Sequence, residues 1–310
     1  MGSINGFLVE PFTVAFMARA LAELAVLGAL AGTVGVLIVL RRLAFMTDAL
    51  THTVFPGVVV GYLLSGEGGV FWGALVAGIA TAVLLTWLTR HHAVTEDTAL
   101  AVLLTTFFAV GVVLVSRQSG YTADLTAFLF GRILTVTPAQ LTQTIVVTVA
   151  VVAALAVLRR PLVARAFDVE HARAAGYRIG LLDLAANVII AVVVVASVRA
   201  VGTILVIALL IVPAATARVL SARLALIIPI AAVIGALAGW IGLAASWNAS
   251  IHHGLRLASG GTVVLVLVAC YAAALAAAAL PGTLLAALRP RPKPPPEPQL
   301  ESEPTARGTS

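Results

Sequence analysis

The stretch LALIIPIAAVIGALAGWIGLAASWNASI, residues 224–251, contains no Asp, Glu, Lys or Arg. An α-helix needs roughly 20 apolar residues to cross the hydrocarbon core of a bilayer, so this segment predicts a membrane-spanning helix. Seven further stretches without these charges are 24–40, 68–89, 98–116, 133–158, 184–198, 200–217 and 257–288. Together they predict an all-α, polytopic helical bundle.

The composition of the whole chain agrees with this prediction. Of 310 residues, 61% are hydrophobic and only 10% are charged, and the mean hydropathy is +1.09, whereas about 25% of residues in soluble domains are charged. A ninth crossing is predicted at 43–65, which is apolar except for Asp48 and His52. Pro138 predicts a helix start and Gly202 a tight turn between neighbouring spans. We expect nine spans, or eight if 184–198 is too short to cross alone.

Two residue counts exclude several function classes. The only lysine is Lys293, so the chain lacks the lysine of a Walker-type phosphate loop and cannot form a lysine Schiff base. The only cysteine is Cys270, which excludes an intrachain disulfide and a thiolate metal cluster. The net charge of +6 comes from basic residues in short loops, so it indicates membrane topology rather than nucleic-acid binding.

The basic residues also predict the orientation of the chain. With the loop between residues 159 and 178 placed in the cytoplasm, the outer side holds five of the 19 Lys and Arg residues and the inner side the other 14. The outer five are Arg19, Arg117, Arg132, Arg199 and Arg256. By the positive-inside rule, the N-terminus is predicted outside and the C-terminus in the cytoplasm, across a bacterial plasma membrane.

Three regions are expected along the chain. Residues 1–22 form an extracytoplasmic N-terminus with an interfacial helix that runs into the first span, and residues 23–288 form the transmembrane domain. Residues 289–310 hold half of the chain's 14 prolines among Glu, Ser and Thr, and this composition predicts a disordered tail. Glycine pairs four residues apart, such as Gly28/Gly32 and Gly235/Gly239, permit close helix packing.

The candidate metal-ligating residues are Asp48 and His52. Ionisable groups inside a span usually face a protein interior or a water-filled path. At a spacing of four they share one helical face, and a carboxylate with an imidazole can bind a divalent transition metal such as zinc or manganese. Pro56 predicts a broken helix beside the pair. Two ligands are too few for tight binding, but a homodimer would supply two Asp and two His.

A structural interpretation of this pair stays open at the sequence level. Thr47 can cap a helix that starts there, with Asp48 in the first turn and His52 hydrogen-bonded to Asp48. The other histidines, His91, His92, His171, His252 and His253, fit solvated loops better than ligand sites. A short helix is predicted after Asp168 as N-cap, with Gly176 as its C′ residue. It is either a docking element for a cytoplasmic partner or an ordinary connector.

At this point the sequence resembles the membrane permease subunit of zinc/manganese-type ABC metal importers. The likeness runs in family order from about residue 9 to 285, so it extends over most of the chain. It rests on EPF at 10–12 with FMARAL at 16–21, LRRLAFMTDALTH at 40–52 with Pro56-Gly57, DLTAFLFG at 124–131 with VTP at 136–138, FD at 167–168 with Ala172 and Gly176, and VGTILV at 201–206 with IVPAATAR at 211–218.

The resemblance implies a homodimeric permease with a separate ATPase subunit beneath it and an extracytoplasmic metal-binding protein above it. It implies that Asp48 and His52 line the metal path, and that Asp168, Glu170 and Gly176 lie in the segment that contacts the ATPase. No tightly bound cofactor is implied, only the transported zinc or manganese ion. The rival functions are an ion-coupled secondary metal transporter, which needs no ATPase, and an intramembrane enzyme, against which the missing His-Glu-x-x-His motif argues.

Overall fold

The computed structural model describes residues 4–90, 94–116, 131–255 and 257–288, and regular structure within them is entirely helical. The helices are α1 (Ile4–Leu8), α2 (Ala15–Arg41), α3 (Ala44–Thr53), α4 (Phe55–Ser65), α5 (Glu67–Leu88), α6 (Glu96–Ser116), α7 (Pro138–Phe167), α8 (Val169–Ala174), α9 (Ile179–Leu220), α10 (Leu224–His253) and α11 (Ser259–Leu288). Short 3-10 turns lie at Glu10–Thr13 and Ile133–Thr135. The predicted all-α class is confirmed.

Seven of these helices are long and apolar enough to cross a bilayer. They are α2, α5, α6, α7, α9, α10 and the part of α11 from Ser259 to Ala279. The chain is therefore a multi-pass membrane protein. The segment DLTAFLFG before its last glycine, His91, His92 and the tail 289–310 lie outside the described residues.

The longest helix, α9, reverses direction at Gly202, as the sequence predicts. Gly202 has φ 78° and ψ 166°, a conformation open mainly to glycine. Asp183, near the start of α9, pairs with Arg41 of α2, and Ala214, near its end, packs against Gly35 of the same helix. A straight helix would hold residues 183 and 214 about 46 Å apart, whereas residues 35 and 41 are about 9 Å apart. Both ends of α9 therefore lie at the same end of the bundle.

Helix α2 lies at the centre of the bundle, where glycine lets α10 approach it closely. A Cβ at Gly28 would lie 2.8 Å from the backbone nitrogen of Ala236, and one at Gly32 would lie 2.7 Å from that of Ala232. Gly235 in turn packs on the Cα atom of Gly28. Three of the four predicted glycines, Gly28, Gly32 and Gly235, are therefore sites of backbone contact, and Gly239 packs on the side chain of Leu24. This is the close packing that small residues permit between membrane helices.

The N-terminal part of α2 is anchored by polar contacts. Residues 15–22 of the predicted interfacial segment are continuous with the first span, because α2 runs without a break from Ala15 to Arg41. Arg19 donates from Nε to the carbonyl of Val136. Glu23 is fully buried and accepts a hydrogen bond of 2.7 Å from the hydroxyl of Thr144 in α7.

The predicted break near Pro56 is confirmed, because α3 ends at Thr53 and α4 begins at Phe55. The idea that Thr47 caps a helix was wrong. Helix α3 already begins at Ala44, and the buried Thr47 hydroxyl donates to the carbonyl of Leu43 one turn earlier. The start is set instead by Arg42, whose left-handed φ of 59° ends α2. Asp48 therefore lies beyond the first turn of α3, away from the positive end of the helix dipole.

Candidate metal path

Helix α3 exposes a single stripe of side chains, and the two predicted ligands lie on it. Most of the helix is buried, but Ala44, Phe45, Asp48 and His52 reach the surface. Their spacing of three and four residues places them on one helical face. The structure therefore confirms that Asp48 and His52 share a face. It adds that this face points out of the single chain rather than into its core.

The pair does not form a hydrogen bond. Nε2 of His52 lies 3.9 Å from Oδ1 of Asp48, beyond hydrogen-bond distance, and the two side chains are 33% and 42% exposed. The structural interpretation predicted a hydrogen bond between His52 and Asp48, and the structure does not contain it. An oxygen and a nitrogen donor side by side, each accessible, can instead approach a common cation.

The neighbouring threonines of α3 contribute no polar side-chain atoms to the exposed stripe. The hydroxyl of Thr51 donates to the carbonyl of Asp48 at 2.7 Å, and that of Thr53 donates to the carbonyl of Leu50 at 3.3 Å. Threonine hydroxyls in membrane helices commonly form such hydrogen bonds with backbone carbonyls of the preceding turn. The side chains of Thr47, Thr51 and Thr53 are all buried, so Asp48 and His52 supply the polar side-chain atoms exposed on α3.

An aromatic residue of α6 holds the imidazole from one side. The ring of Phe108 meets that of His52 edge to face, with centroids 6.0 Å apart and planes at 90°. Phe108 also lies 5.8 Å from Phe55, and Gly111 leaves the space that Phe55 occupies. Sequence reasoning missed Phe108, because a phenylalanine inside a charge-free span carries no signal that separates it from its neighbours.

The position of Phe108 also fixes the depth of the pair. Phe108 is the thirteenth residue of a 21-residue membrane helix, so it lies about 18 Å along α6 from Glu96. Because His52 packs on it, the imidazole lies near the middle of that helix. Within the described residues no group of three or more His, Cys, Asp or Glu side chains gathers. One chain therefore offers two donors at mid-depth.

The second predicted functional segment is α8, and its predicted caps are confirmed. The Asp168 carboxylate accepts from the backbone N–H of His171 at 2.9 Å. At the other end Gly176 adopts φ 85°, and the N–H groups of Gly176 and Tyr177 donate to the carbonyls of Arg173 and Ala172. This pattern is a Schellman motif.

Helix α8 presents nearly all of its side chains to the outside. Ala172 is fully buried and anchors the helix, whereas Phe167 and Tyr177 on either side are 73% and 38% exposed. Glu170 forms an exposed 2.8 Å ion pair with Arg173. Aromatic side chains are enriched in protein interfaces, so Phe167 and Tyr177 are available for a protein contact.

Among the other histidines, the structure describes the side chains of His171 and His252, and neither extends the candidate path; those of His91, His92 and His253 lie outside the described part of the chain. His171 and His252 are exposed, in agreement with solvated loop or terminal positions. Neither belongs to a cluster of metal-ligating residues in the described part of the chain.

This fold and site define a class, a multi-pass membrane transport protein with a polar donor pair at mid-depth. A family model described as the ABC 3 transport family matches residues 13–278. The chain belongs to this family, and it is a transport permease rather than an enzyme.

Relatives and a solved structure agree with this assignment. The manganese transport system membrane protein MntC of Halalkalibacterium halodurans is 32% identical over 266 residues, which is 86% of this chain and 88% of MntC. The manganese import system permease protein ScaB of Streptococcus parasanguinis is 35% identical, over 81% of this chain and 86% of ScaB. The solved structure of PsaBC from Streptococcus pneumoniae in complex with Fab superposes with a TM-score of 0.75 at 30% identity, over 88% of this chain and 95% of that one.

Proposed function

We propose that this protein is the membrane subunit of an ATP-driven importer that carries Mn²⁺ into a bacterial cytoplasm, with Asp48 and His52 as metal ligands. The observation that carries the proposal is the exposed stripe of α3, which holds a carboxylate and an imidazole 3.9 Å apart at mid-depth. Manganese accepts both donor types. The relatives named MntC and ScaB are manganese transport proteins, which favours manganese over zinc.

The functional unit in this proposal is a homodimer. Two donors do not complete a metal coordination shell, and a charged side chain on a face turned to lipid is costly. A two-fold axis beside α3 covers the stripe and brings together two Asp and two His, because an isologous interface repeats each residue. Phe45, 44% exposed on the same stripe, supplies apolar area for this contact.

The energy source is a separate ATPase subunit bound at α8. This chain has one lysine, Lys293, in its proline-rich tail, so ATP hydrolysis by a Walker-type loop belongs to another chain. The distribution of basic residues supports a cytoplasmic position for α8, with the N-terminus outside and the C-terminus inside. Asp168, Glu170 and Gly176 shape the docking helix. An extracytoplasmic binding protein delivers the metal from the opposite side.

Nine crossings fit this topology. Six of the seven long helices cross once, the reversed helix α9 crosses twice, and the broken pair α3–α4 crosses once. With the N-terminus outside, nine crossings leave both α8 and the C-terminal tail on the cytoplasmic side in this proposal. The proposed regions are the N-terminus at 1–22, the permease domain at 23–288 and a proline-rich tail at 289–310.

Reconstitution tests the proposed function. The chain, its ATPase and a metal-loaded binding protein are placed in proteoliposomes, and Mn²⁺ and Zn²⁺ uptake is measured by metal mass with and without ATP. We expect ATP-dependent Mn²⁺ uptake. Uptake that needs an ion gradient but no ATP would show a secondary transporter instead, and ATP-dependent uptake of Zn²⁺ alone would overturn the choice of metal.

Two variants test the site within the same assay. Asp48→Asn keeps the size of the side chain and removes the charge, and His52→Leu removes the nitrogen donor. Each should abolish Mn²⁺ uptake while the permease still dimerises and binds its ATPase, because neither introduces a buried charge. Asp97→Asn, at an exposed position in the first turn of α6, is the matched control and should transport normally. Normal transport per molecule in both site variants would mean that the path lies elsewhere.

A further inference from the structure

A partly buried ion-pair cluster joins three helices at the end of the bundle that carries α8. The carboxylate of Asp183 in α9 contacts Arg41 of α2 at 2.5 Å and Nε of Arg165 in α7 at 3.1 Å. Its second oxygen, Oδ2, accepts from NH2 of Arg165 at 3.3 Å. Asp183 is 142 positions from Arg41 and 18 positions from Arg165 in the chain, so sequence reasoning did not associate the three residues.

The cluster lies between the two functional segments. Arg41 is the last residue of α2, and α3 with its metal ligands begins three residues later at Ala44. Arg165 lies in the last turn of α7, and α8 begins four residues later at Val169. The connections are short and hydrogen-bonded: Leu43 donates to Ile38 at 2.9 Å, and Asp168 donates to Ala164 at 2.9 Å. Each functional segment is therefore one short, hydrogen-bonded connection away from one of the two guanidinium groups.

The two arginines differ in what they can do. The side chain of Arg41 is 5% exposed and that of Arg165 is 22% exposed. An apolar cluster one turn away, formed by Leu37, Leu162, Leu182 and Ala186, keeps the pairs in a low-dielectric setting where ion pairs are strong. Arg165 can therefore move out to solvent, whereas Arg41 depends on Asp183 for its charge compensation.

Arg41 also has an unused donor. Its NH1 atom is buried and has no hydrogen-bond partner among the described residues, while NH2 contacts Asp183. A guanidinium binds a carboxylate best through two parallel hydrogen bonds. If Oδ2 of Asp183 loses its hydrogen bond from Arg165, it can accept one from the unpaired NH1 of Arg41. The structure holds the arrangement in which the carboxylate bridges both arginines; a bidentate pair with Arg41 is the alternative that its open NH1 would permit.

We propose that Asp183 is a positioning residue that couples α8 to α3 by exchanging its second carboxylate oxygen between Arg165 and Arg41. This inference rests on the proposed function. When the ATPase moves α8, Arg165 is withdrawn from Asp183, and Asp183 then holds Arg41 just before α3, the helix that carries the metal ligands. A discrete two-state element of this kind is what a coupling mechanism between distant sites requires.

The test is the number of ATP molecules hydrolysed per Mn²⁺ imported by the complete complex in proteoliposomes. Arg165→Gln preserves the Arg41–Asp183 pair, so the buried cation stays compensated and the protein should assemble. We expect Mn²⁺ imported per ATP to fall about tenfold, within the usual range of coupling between sites. Arg165→Lys keeps the positive charge but loses the planar guanidinium. Its Mn²⁺ imported per ATP should therefore lie between the values of the unaltered protein and Arg165→Gln. Asp97→Asn, which removes an exposed charge outside the cluster, is the control and should leave the ratio unchanged.

A double-mutant cycle separates coupling from a structural role. If Asp183 acts through Arg165, Asp183→Asn with Arg165→Gln should lose no more coupling than Asp183→Asn alone. If Asp183→Asn does not assemble, Arg165→Gln decides by itself. An unchanged ratio in Arg165→Gln, or fully additive losses in the cycle, would overturn the inference while the proposed function stands. Absence of ATP-dependent Mn²⁺ uptake by the unaltered complex would instead reject both.

Discussion

At the scale of single residues, the account depends on which side chains of α3 are buried and which are not. The buried threonines satisfy their hydroxyls on the helix backbone, so they add no polar surface. Asp48 and His52 are held accessible and 3.9 Å apart. The face that carries them points away from the chain's own core, and this supports the proposal of a metal path between two copies.

Phe108 should tune the metal site without touching the metal. An edge-to-face pair is worth about 0.5–1.5 kcal/mol, so Phe108→Leu should raise the apparent KM for Mn²⁺ about three- to tenfold by loosening the His52 ring. Uptake at a series of Mn²⁺ concentrations checks this, with Val113→Ala as control on an exposed position of the same helix. A fall in maximal rate at unchanged KM would contradict the assigned role.

The residue-level prediction from sequence was partial for a physical reason. Asp48 and His52 are conspicuous because charge is costly inside a span, and their i, i+4 spacing fixes a common face. Phe108 and Asp183 instead meet His52 and Arg41 through contacts between helices that lie far apart in the chain. Nothing in local composition shows that Asp183 meets Arg41 rather than another basic residue at the same end of the bundle.

At the scale of helices, local chemistry predicted some boundaries and missed others. Pro138 is the first residue of α7, which starts with a capping box formed by Thr137 and Gln140. Gly202 is the point at which α9 reverses direction, and Asp168 and Gly176 cap α8. The start of α3 was missed because α2 ends on Arg42 in a left-handed conformation, a position that glycine or asparagine usually marks. The hydrogen bonds at this end are local, since the N–H groups of Arg42 and Leu43 donate to the carbonyls of Val39 and Ile38, but an arginine at this position does not signal such a helix end in the sequence.

The cap of α8 supplies a test of the docking helix. Gly176 has φ 85° and open space around a would-be Cβ, so Gly176→Val introduces backbone strain of about 1–2 kcal/mol without a clash. We expect weaker capture of the ATPase in pull-downs from membranes, and Gly176→Asn should retain most of it because asparagine tolerates this conformation.

Gly254 provides the matched control for that strain. It also has a positive φ, 64°, and open space around it, but it ends α10 at the opposite side of the proposed topology. Gly254→Val should therefore leave ATPase capture unchanged. Equal loss in the two valine variants would assign the effect to general destabilisation and remove α8 from the interface.

At the scale of the whole molecule, the composition predicted the class of protein more completely than its assembly. Charge-free stretches correspond to the long helices, since burial in lipid demands them. The packing of α10 on α2 through Gly28 and Gly32 matches the predicted glycine pairs. The dimer remains a proposal, and it explains why one chain exposes two metal-type donors at mid-depth.

The central claim is that His52 of both copies ligates the transported metal together with Asp48. Electron–nuclear double resonance on Mn²⁺ bound to the purified permease–ATPase complex, with ¹⁵N-labelled histidine, measures this directly. The account predicts hyperfine coupling to imidazole nitrogen from two histidines, absent in His52→Leu. Histidine coupling of the same strength in His52→Leu would contradict it.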